Sequence, residues 1–116
     1  MRSVVRWVGR LVDAARVWWS PEPPPVTIEV VEDEPEAVAS GVLYVVGGED
    51  PVYAVMVCPC GCEAPLRMNV RPEAHPRWSW AADADGAATL RPSVWRSVGC
   101  RSHFFLRHGL IEWCAP

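Results

Sequence analysis

The chain of 116 residues contains no lysine, and its 11 basic side chains are all arginines. The protein therefore offers no side-chain amine as an acceptor for covalent modification. No hydrophobic run approaches the roughly 20 residues that a membrane-spanning helix needs. Arginines also interrupt the first twenty residues, which leaves no apolar core for a secretory signal. These absences predict a cytoplasmic protein.

Cysteine is scarce, and the count of 5 is odd. An odd number argues against a complete disulfide framework. We therefore expect reduced thiols, as is usual in the cytoplasm. The cysteines are Cys58, Cys60, Cys62, Cys100 and Cys114.

Charge is distributed unevenly behind a net value of −3. Residues 1–20 carry four arginines and one aspartate, and residues 21–50 carry eight acidic side chains with no basic one. Residues 51–116 carry seven arginines and five acids. The chain is not basic as a whole, so the sequence shows no obvious nucleic-acid footprint.

Residues 1–20 are predicted to form an amphipathic helix. Arg2, Arg6 and Arg10 recur every four residues as a polar stripe, and valine, leucine and alanine occupy much of the rest. The prolines of PEPPP at 21–25 end the helix. We expect its apolar face to dock on the domain or on a partner protein. Contact with a membrane surface and folding only with a partner are the alternatives.

The rest of the chain alternates between strand patterns and turn residues. Residues 21–37 are interpreted as a proline-rich, acidic linker with a short strand, and residues 38–116 as a β domain. The strand in the linker is VTIEVV. Three hairpins are predicted, from VLYVV with VYAVMVC, from WSWAA with ATLRPSVW, and from HFFLR with LIEWC, with PLRMNV as a further strand.

Two segments have the spacing of a metal site. The first is CPCGC at 58–62, and the second is GCRSH, in which Cys100 and His103 lie three residues apart. Zinc binds four such thiolate and imidazole donors in a tetrahedron. The two segments offer five donors for four positions, and together they predict a closed, structural zinc site.

Three of those donors compete for two positions. Cys58 and Cys62 have room to close a loop around an ion, so we favour them as partners of Cys100 and His103. Cys60 is held in reserve, because alternate strand residues point to opposite faces unless the backbone turns. Cys114 is expected to be a small buried apolar residue. The predicted fold class is thus mainly β, a small antiparallel sheet of hairpins with a zinc-ribbon-like site, preceded by the helix.

The sequence resembles a family of small bacterial domains of unknown function with a predicted zinc site. The resemblance covers residues 42–114 and rests on LYVVGGEDPVYAVMVCPCGC, LRMNV, PRWSW, TLRPSVW and GCRSHFFLRHGLIEW. In that family the first cluster often reads C-P-x-x-C and the second C-x-x-H. The resemblance therefore implies Cys58, Cys62, Cys100 and His103 as ligands and weakens the case for Cys60.

The genomic setting of that family implies a function. Its members are similar in setting to proteins encoded beside ubiquitin-like conjugation components, namely an activating enzyme, a conjugating enzyme and a metallopeptidase. Such operons are suspected of antiphage or stress roles. The leading interpretation is therefore a zinc-stabilised binding module or adaptor, which is not an enzyme and which works with a bacterial ubiquitin-like conjugation system.

Two alternatives remain. The first is a nucleic-acid-binding zinc ribbon, in which arginines contact phosphates and aromatic rings stack on bases. The second is an accessory ligase-like enzyme or thiol carrier that uses a free Cys60. The residues considered for nucleic-acid binding are Arg91, Arg96, Arg101, Arg107, Trp78, Trp80, Trp95, Phe104 and Phe105.

Overall fold

The computed structural model describes residues 23–115, which contain eight β-strands. The mainly β fold predicted from the sequence is confirmed, while the helix predicted at 1–20 lies outside the described residues. Within residues 23–115 no helix has the length and hydropathy needed to cross a membrane. The strands are β1 (Thr27–Val31), β2 (Val42–Val46), β3 (Tyr53–Val57), β4 (Pro65–Asn69), β5 (Ser79–Ala82), β6 (Ala88–Trp95), β7 (His103–Arg107) and β8 (Leu110–Trp113).

The strands form two four-stranded sheets in the orders β1-β2-β3-β4 and β5-β6-β7-β8. One buried cluster of apolar side chains joins the sheets. Leu43 and Met56 enter it from the first sheet, and Leu90, Phe104 and Leu106 enter it from the second. All five are at most 2% exposed. The sandwich is therefore held together mainly by burial of apolar surface between its layers.

Strand alternation gives the second sheet an outer face. In β7 the side chains of Phe104 and Leu106 are buried, whereas those of His103, Phe105 and Arg107 are partly or fully exposed. Because successive strand residues point to opposite faces, the last three share the face turned away from the core. Polar chemistry in this sheet is thus presented on the outer face.

The predicted hairpins are confirmed, but the expectation of a purely antiparallel sheet is wrong at β1. This strand pairs in parallel with β2, from Thr27 opposite Val42 to Val31 opposite Val46. The connection 32–41 carries the chain back to the starting end of the sheet, which makes the two strands run in the same direction. Strand patterns in a sequence reveal the strands but not their relative direction.

A glycine joins the two sheets at one corner. The Val26 N–H donates to the Gly109 carbonyl at 2.8 Å, and the Gly109 N–H donates to the Ala88 carbonyl at 2.7 Å. Gly109 has a φ of +80°, and a Cβ added there would lie 2.6 Å from the Pro25 Cβ. Only glycine satisfies both the left-handed backbone and the close approach.

The acidic connection 32–41 is attached to the outer face of the first sheet by one carboxylate. Arg67 donates two hydrogen bonds to Glu34, at 2.9 and 2.8 Å, and the Tyr53 hydroxyl donates a third at 2.8 Å. Nearby, Val38 packs against the small apolar cluster formed by Tyr44 and its neighbours. This part of the acidic segment is therefore structured, since its charge has a specific partner.

Glu34→Gln is expected to lower the free energy of unfolding at neutral pH and to have a smaller effect in acid. The hydrogen bonds from Arg67 and Tyr53 lower the pKa of Glu34 from 4.5 to about 2. The stabilisation is therefore present above the unfolded value and is lost as the pH falls toward the folded value. The variant should lower the free energy of unfolding by at most about 1 kcal/mol at pH 7, because the Arg67 side chain is half exposed.

Urea unfolding at pH 7, 4 and 3 measures this difference. The difference in the free energy of unfolding between the wild type and the variant should become smaller as the pH falls. Glu36→Gln, in the same connection, makes none of these contacts and should behave as the wild type. A gap that stays constant down to pH 3 would contradict the assigned role of the Glu34 carboxylate.

Candidate metal centre and serine–histidine pair

Four cysteine sulfurs converge where β3 ends and β7 is about to begin. Cys58 directly follows β3, Cys60 and Cys62 lie in the next turn, and Cys100 lies in the loop before β7. The four Sγ atoms all lie within 4.8 Å of one another. Cys58 Sγ is 3.4 Å from Cys60 Sγ and 3.6 Å from Cys100 Sγ.

The turn explains how three alternating cysteines reach one side. Gly61 has a φ of +99°, and the Cys58 N–H donates to the Ala64 carbonyl at 2.8 Å. The Cys62 N–H in turn donates to Cys60 Sγ at 3.4 Å. The backbone thus reverses inside CPCGC, so the opposed faces expected for a straight strand do not apply to Cys60.

The spacing of the sulfurs fits a tetrahedral metal ion. Zinc–thiolate bonds of about 2.3 Å place neighbouring sulfurs roughly 3.8 Å apart. The observed upper limit of 4.8 Å and the two shorter separations bracket that value. Four thiolates with no carboxylate are the donor set of a thiophilic ion such as zinc. The cluster could therefore hold one metal ion.

Ser102 and Arg96 form hydrogen bonds with the sulfurs of the cluster. Ser102 Oγ lies 3.3 Å from Cys58 Sγ and 3.2 Å from Cys100 Sγ, and Arg96 Nη1 lies 3.5 Å from Cys100 Sγ. Hydrogen bonds from Ser102, helped by Arg96, lower the pKa of Cys100 to about 5. Burial raises the pKa of Cys58 to about 12. The Cys58 thiol therefore keeps its proton at neutral pH unless a cation displaces it.

The structure brings together three of the four predicted ligands. Cys58, Cys62 and Cys100 belong to the cluster, and its fourth member is Cys60. The remaining predicted ligand, His103, directs Nε2 toward a serine instead. Which residues bind a metal ion stays a prediction. Cys114 lies outside the cluster, is partly buried, and donates its N–H to the His103 carbonyl at 2.9 Å.

His103 forms a pair with Ser93 on the neighbouring strand. Ser93 Oγ lies 2.9 Å from His103 Nε2, and both side chains are partly buried. The His103 ring stacks on Trp95 with a centroid distance of 4.9 Å and an angle of 15°. The indole N–H of Trp78 donates to the Ser93 carbonyl at 3.2 Å. The hydroxyl and the imidazole are thus held in hydrogen-bond contact by strands β6 and β7.

A β-bulge places Ser93 at this position. Leu90 pairs with Leu106 and Val94 pairs with Phe104, so three residues of β6 lie opposite Phe105 alone. Bulges disrupt the ladder locally and redirect side chains, and they are frequent beside functional sites. Ser93 directly precedes the buried Val94 and therefore faces outward with His103.

Two clefts border the sites. The larger, of about 820 Å³, separates β8 from the cysteine turn and includes neither Ser93 nor His103 in its lining. The smaller, of about 400 Å³, opens beside His103. Its walls include Trp95, Ser102, His103 and Trp113. The smaller cleft therefore borders the His103 side chain, although Ser93 is not part of its lining.

The sequence analysis did not identify the Ser93–His103 pair. Ser93 and Trp95 alternate within PSVW, and His103 begins the next strand, so a pairing of Trp95 with His103 would have placed Ser93 on the same face. The pairing of Trp95 with His103 could not be predicted from strand alternation, because the bulge changes the register within β6.

The residues considered for nucleic-acid binding are dispersed. Arg96 contacts the sulfurs, and Arg107 pairs with Glu112 at the outer face. Phe104 is fully buried, and Trp78 and Trp80 pack against the core. The part of the chain that the structure describes therefore leaves few of these rings free to stack on bases.

Comparison with known families gives one match. The model of the family described as "Bacterial ubiquitination-like system serine protease (BubE)" matches residues 30–114, well over half of the chain. No match was found among curated proteins or among solved structures. The match confirms the link to a bacterial ubiquitin-like system that the resemblance implied. The word protease is in tension with the expectation that the chain is not an enzyme.

Proposed function

This chain belongs to the BubE family of the bacterial ubiquitination-like system, and from that premise we propose that it is a metal-stabilised serine peptidase. The observation that carries the proposal is the 2.9 Å contact between Ser93 Oγ and His103 Nε2. A hydroxyl within hydrogen-bond reach of an imidazole is the arrangement that activates a serine nucleophile. The proposal thus moves the enzymatic role from Cys60 to Ser93.

The pair supplies the two groups that acyl transfer needs. With its ring proton on Nδ1, His103 accepts the Ser93 hydroxyl proton at Nε2 while Oγ forms a bond to the scissile carbonyl carbon. His103 then returns that proton to the leaving amine as the carbon–nitrogen bond breaks. Water hydrolyses the acyl-enzyme with His103 again as base. We propose the peptide bond at the carboxyl terminus of the system's ubiquitin-like modifier as the substrate.

We propose further that the cluster binds one structural zinc ion. Cys58, Cys60, Cys62 and Cys100 supply four thiolates and leave no open position, so when bound the ion acts as a cross-link rather than as a Lewis acid. In this assignment Cys60 replaces His103 in the ligand set that was predicted from the sequence. Thiols kept available for a metal suit the reducing cytoplasm.

An adaptor without catalytic activity is the second candidate. It is favoured by two large apolar side chains on the surface, since Trp95 is 70% exposed and Val98 is 65% exposed. Exposed tryptophans such as Trp95 often anchor protein interfaces. An adaptor would bind the modifier with Ser93 replaced by alanine and would show no reaction at the hydroxyl.

The proposal predicts that the full chain reacts with an alkyl fluorophosphonate at Ser93. Oγ forms a bond to phosphorus, fluoride leaves with the electron pair of its bond, and His103 accepts the proton. Intact mass and peptide mapping should show one adduct per chain, located at Ser93. Ser93→Ala should abolish the adduct.

Ser102 provides the matched control, because its hydroxyl is directed at the sulfurs and is 6% exposed. It should carry no adduct in the wild type. A folded, zinc-loaded chain that gains no adduct under these conditions would overturn the peptidase proposal and favour the adaptor. An adduct at Ser102 in place of Ser93 would show that the proposal names the wrong serine as the nucleophile.

A further inference from the structure

The cysteine cluster and the Ser93–His103 pair are joined by two residues. Trp95 pairs with His103 at the last register position of the β6–β7 ladder. Arg96 follows Trp95, Ser102 precedes His103, and both contact cysteine sulfurs. The two rings that stack beside the hydroxyl are therefore each one peptide bond away from a residue that contacts the cluster.

Arg96 forms the first of these connections. Its Nη1 lies 3.6 Å from Cys62 Sγ and 3.5 Å from Cys100 Sγ. The loop before β7 leaves space for this side chain, because a Cβ added at Gly99 would approach the guanidinium to 2.9 Å. Gly99 also has a φ of +65°. The guanidinium is thus positioned between the loop and the sulfurs.

Ser102 forms the second connection and is the more buried of the two. Its hydroxyl lies between Cys58 Sγ and Cys100 Sγ, at 3.3 and 3.2 Å. Its carbonyl accepts the Arg96 N–H at 2.8 Å, which closes the ladder immediately beyond the Trp95–His103 stack. One residue therefore binds the cluster through its side chain and fixes the strand ends through its backbone.

We infer that Arg96 and Ser102 are positioning residues, through which the metal-loaded cluster holds His103 in contact with Ser93. The inference rests on the proposed function for its catalytic consequence, but its structural part stands on the contacts alone. Partners of metal ligands commonly orient the site and change its affinity or activity about 10–100-fold when they are lost. The cluster then serves the reaction without touching the substrate.

Ser102→Ala in the full chain tests the inference. We expect the variant to retain one zinc per chain while fluorophosphonate labelling of Ser93 slows by about 10–100-fold. Amide hydrogen exchange should accelerate at the Arg96 N–H, and the NMR signals of the His103 ring should broaden. Ser102→Thr keeps the hydroxyl and should restore labelling toward the wild-type rate. Ser79→Ala, on the exposed strand β5, is the matched control and should change none of these readouts.

The outcomes separate the inference from the proposed function. If the wild type labels and Ser102→Ala labels equally fast with unchanged exchange, the inference fails and the peptidase proposal stands. If the wild type does not label, the peptidase proposal fails, and the Arg96 exchange and His103 ring signals decide the structural part. If Ser102→Ala does not fold, Arg96→Ala takes its place, because the Arg96 side chain lies on the surface of the cluster. The same labelling, exchange and NMR measurements then apply to that variant.

Discussion

Replacing Cys58 by serine is expected to abolish zinc binding and to leave the chain largely unfolded at room temperature. Structural zinc supplies about 10 kcal/mol or more to small metal-dependent domains. Net domain stabilities are only about 5–15 kcal/mol. Cys58 is also 2% exposed and belongs to the core cluster between the sheets. Its replacement therefore removes a proposed ligand and places a hydroxyl group in a buried position.

Metal content by plasma mass spectrometry and thermal unfolding followed by circular dichroism measure the effect. We expect one zinc per wild-type chain, and unfolding at a much lower temperature after a chelator removes it. Acid should release the ion, because protons compete for the thiolates. Cys114→Ser is the matched control: this cysteine lies outside the cluster, so the variant should keep its zinc. A metal-free wild type that folds cooperatively would contradict the structural role of zinc.

The same measurements decide between Cys60 and His103 as the fourth ligand. If the four-cysteine cluster binds the ion, Cys60→Ser should lower zinc affinity by at least about tenfold, since even indirect partners of a metal have effects of that size. His103→Asn should then keep the ion. The reverse result would restore the ligand set predicted from the sequence.

Much of the fold follows from the sequence because local patterns determine it. Alternation in HFFLR and LIEWC, with the glycine turn between them, predicts β7, β8 and their pairing. The parallel placement of β1 was not predictable in this way, because it depends on how residues 32–41 pack across the sheet. Tertiary packing determines that path, and one anchor is the Glu34–Arg67 pair.

The sequence predicted the cysteine cluster in large part, but it did not predict the contact between Ser93 and His103. Spacing alone identified the cysteine segments, because closely spaced thiols at two places in a chain suit few structures other than a metal site. The same spacing drew His103 into the ligand set, as the second residue of a C-x-x-H pair. Predicting Ser93 as the partner of His103 requires knowledge of the strand register across a bulge, and patterns in a single sequence do not supply that register.

His103→Asn is expected to slow fluorophosphonate labelling of Ser93, and cleavage of the modifier, by about 10²–10⁴-fold. The asparagine side chain has no group that accepts the hydroxyl proton as imidazole does. The fold and the metal content should be unchanged, because the ring lies on the outer face of the second sheet and stacks on an exposed Trp95. Rate measurements at saturating and limiting substrate should place the loss mainly in kcat.

His108→Asn is the matched control for that variant. His108 lies in the β7–β8 turn, where its Nδ1 is 3.1 Å from Asp83. This turn is at the opposite end of β7 from His103 and its contact with Ser93. Asparagine also tolerates its φ of 52°. Equal losses in both variants would mean that the effect is structural. A loss of zinc together with activity in His103→Asn alone would make His103 a ligand, whereas a loss of activity with full metal content makes it the base that the Ser93 contact indicates.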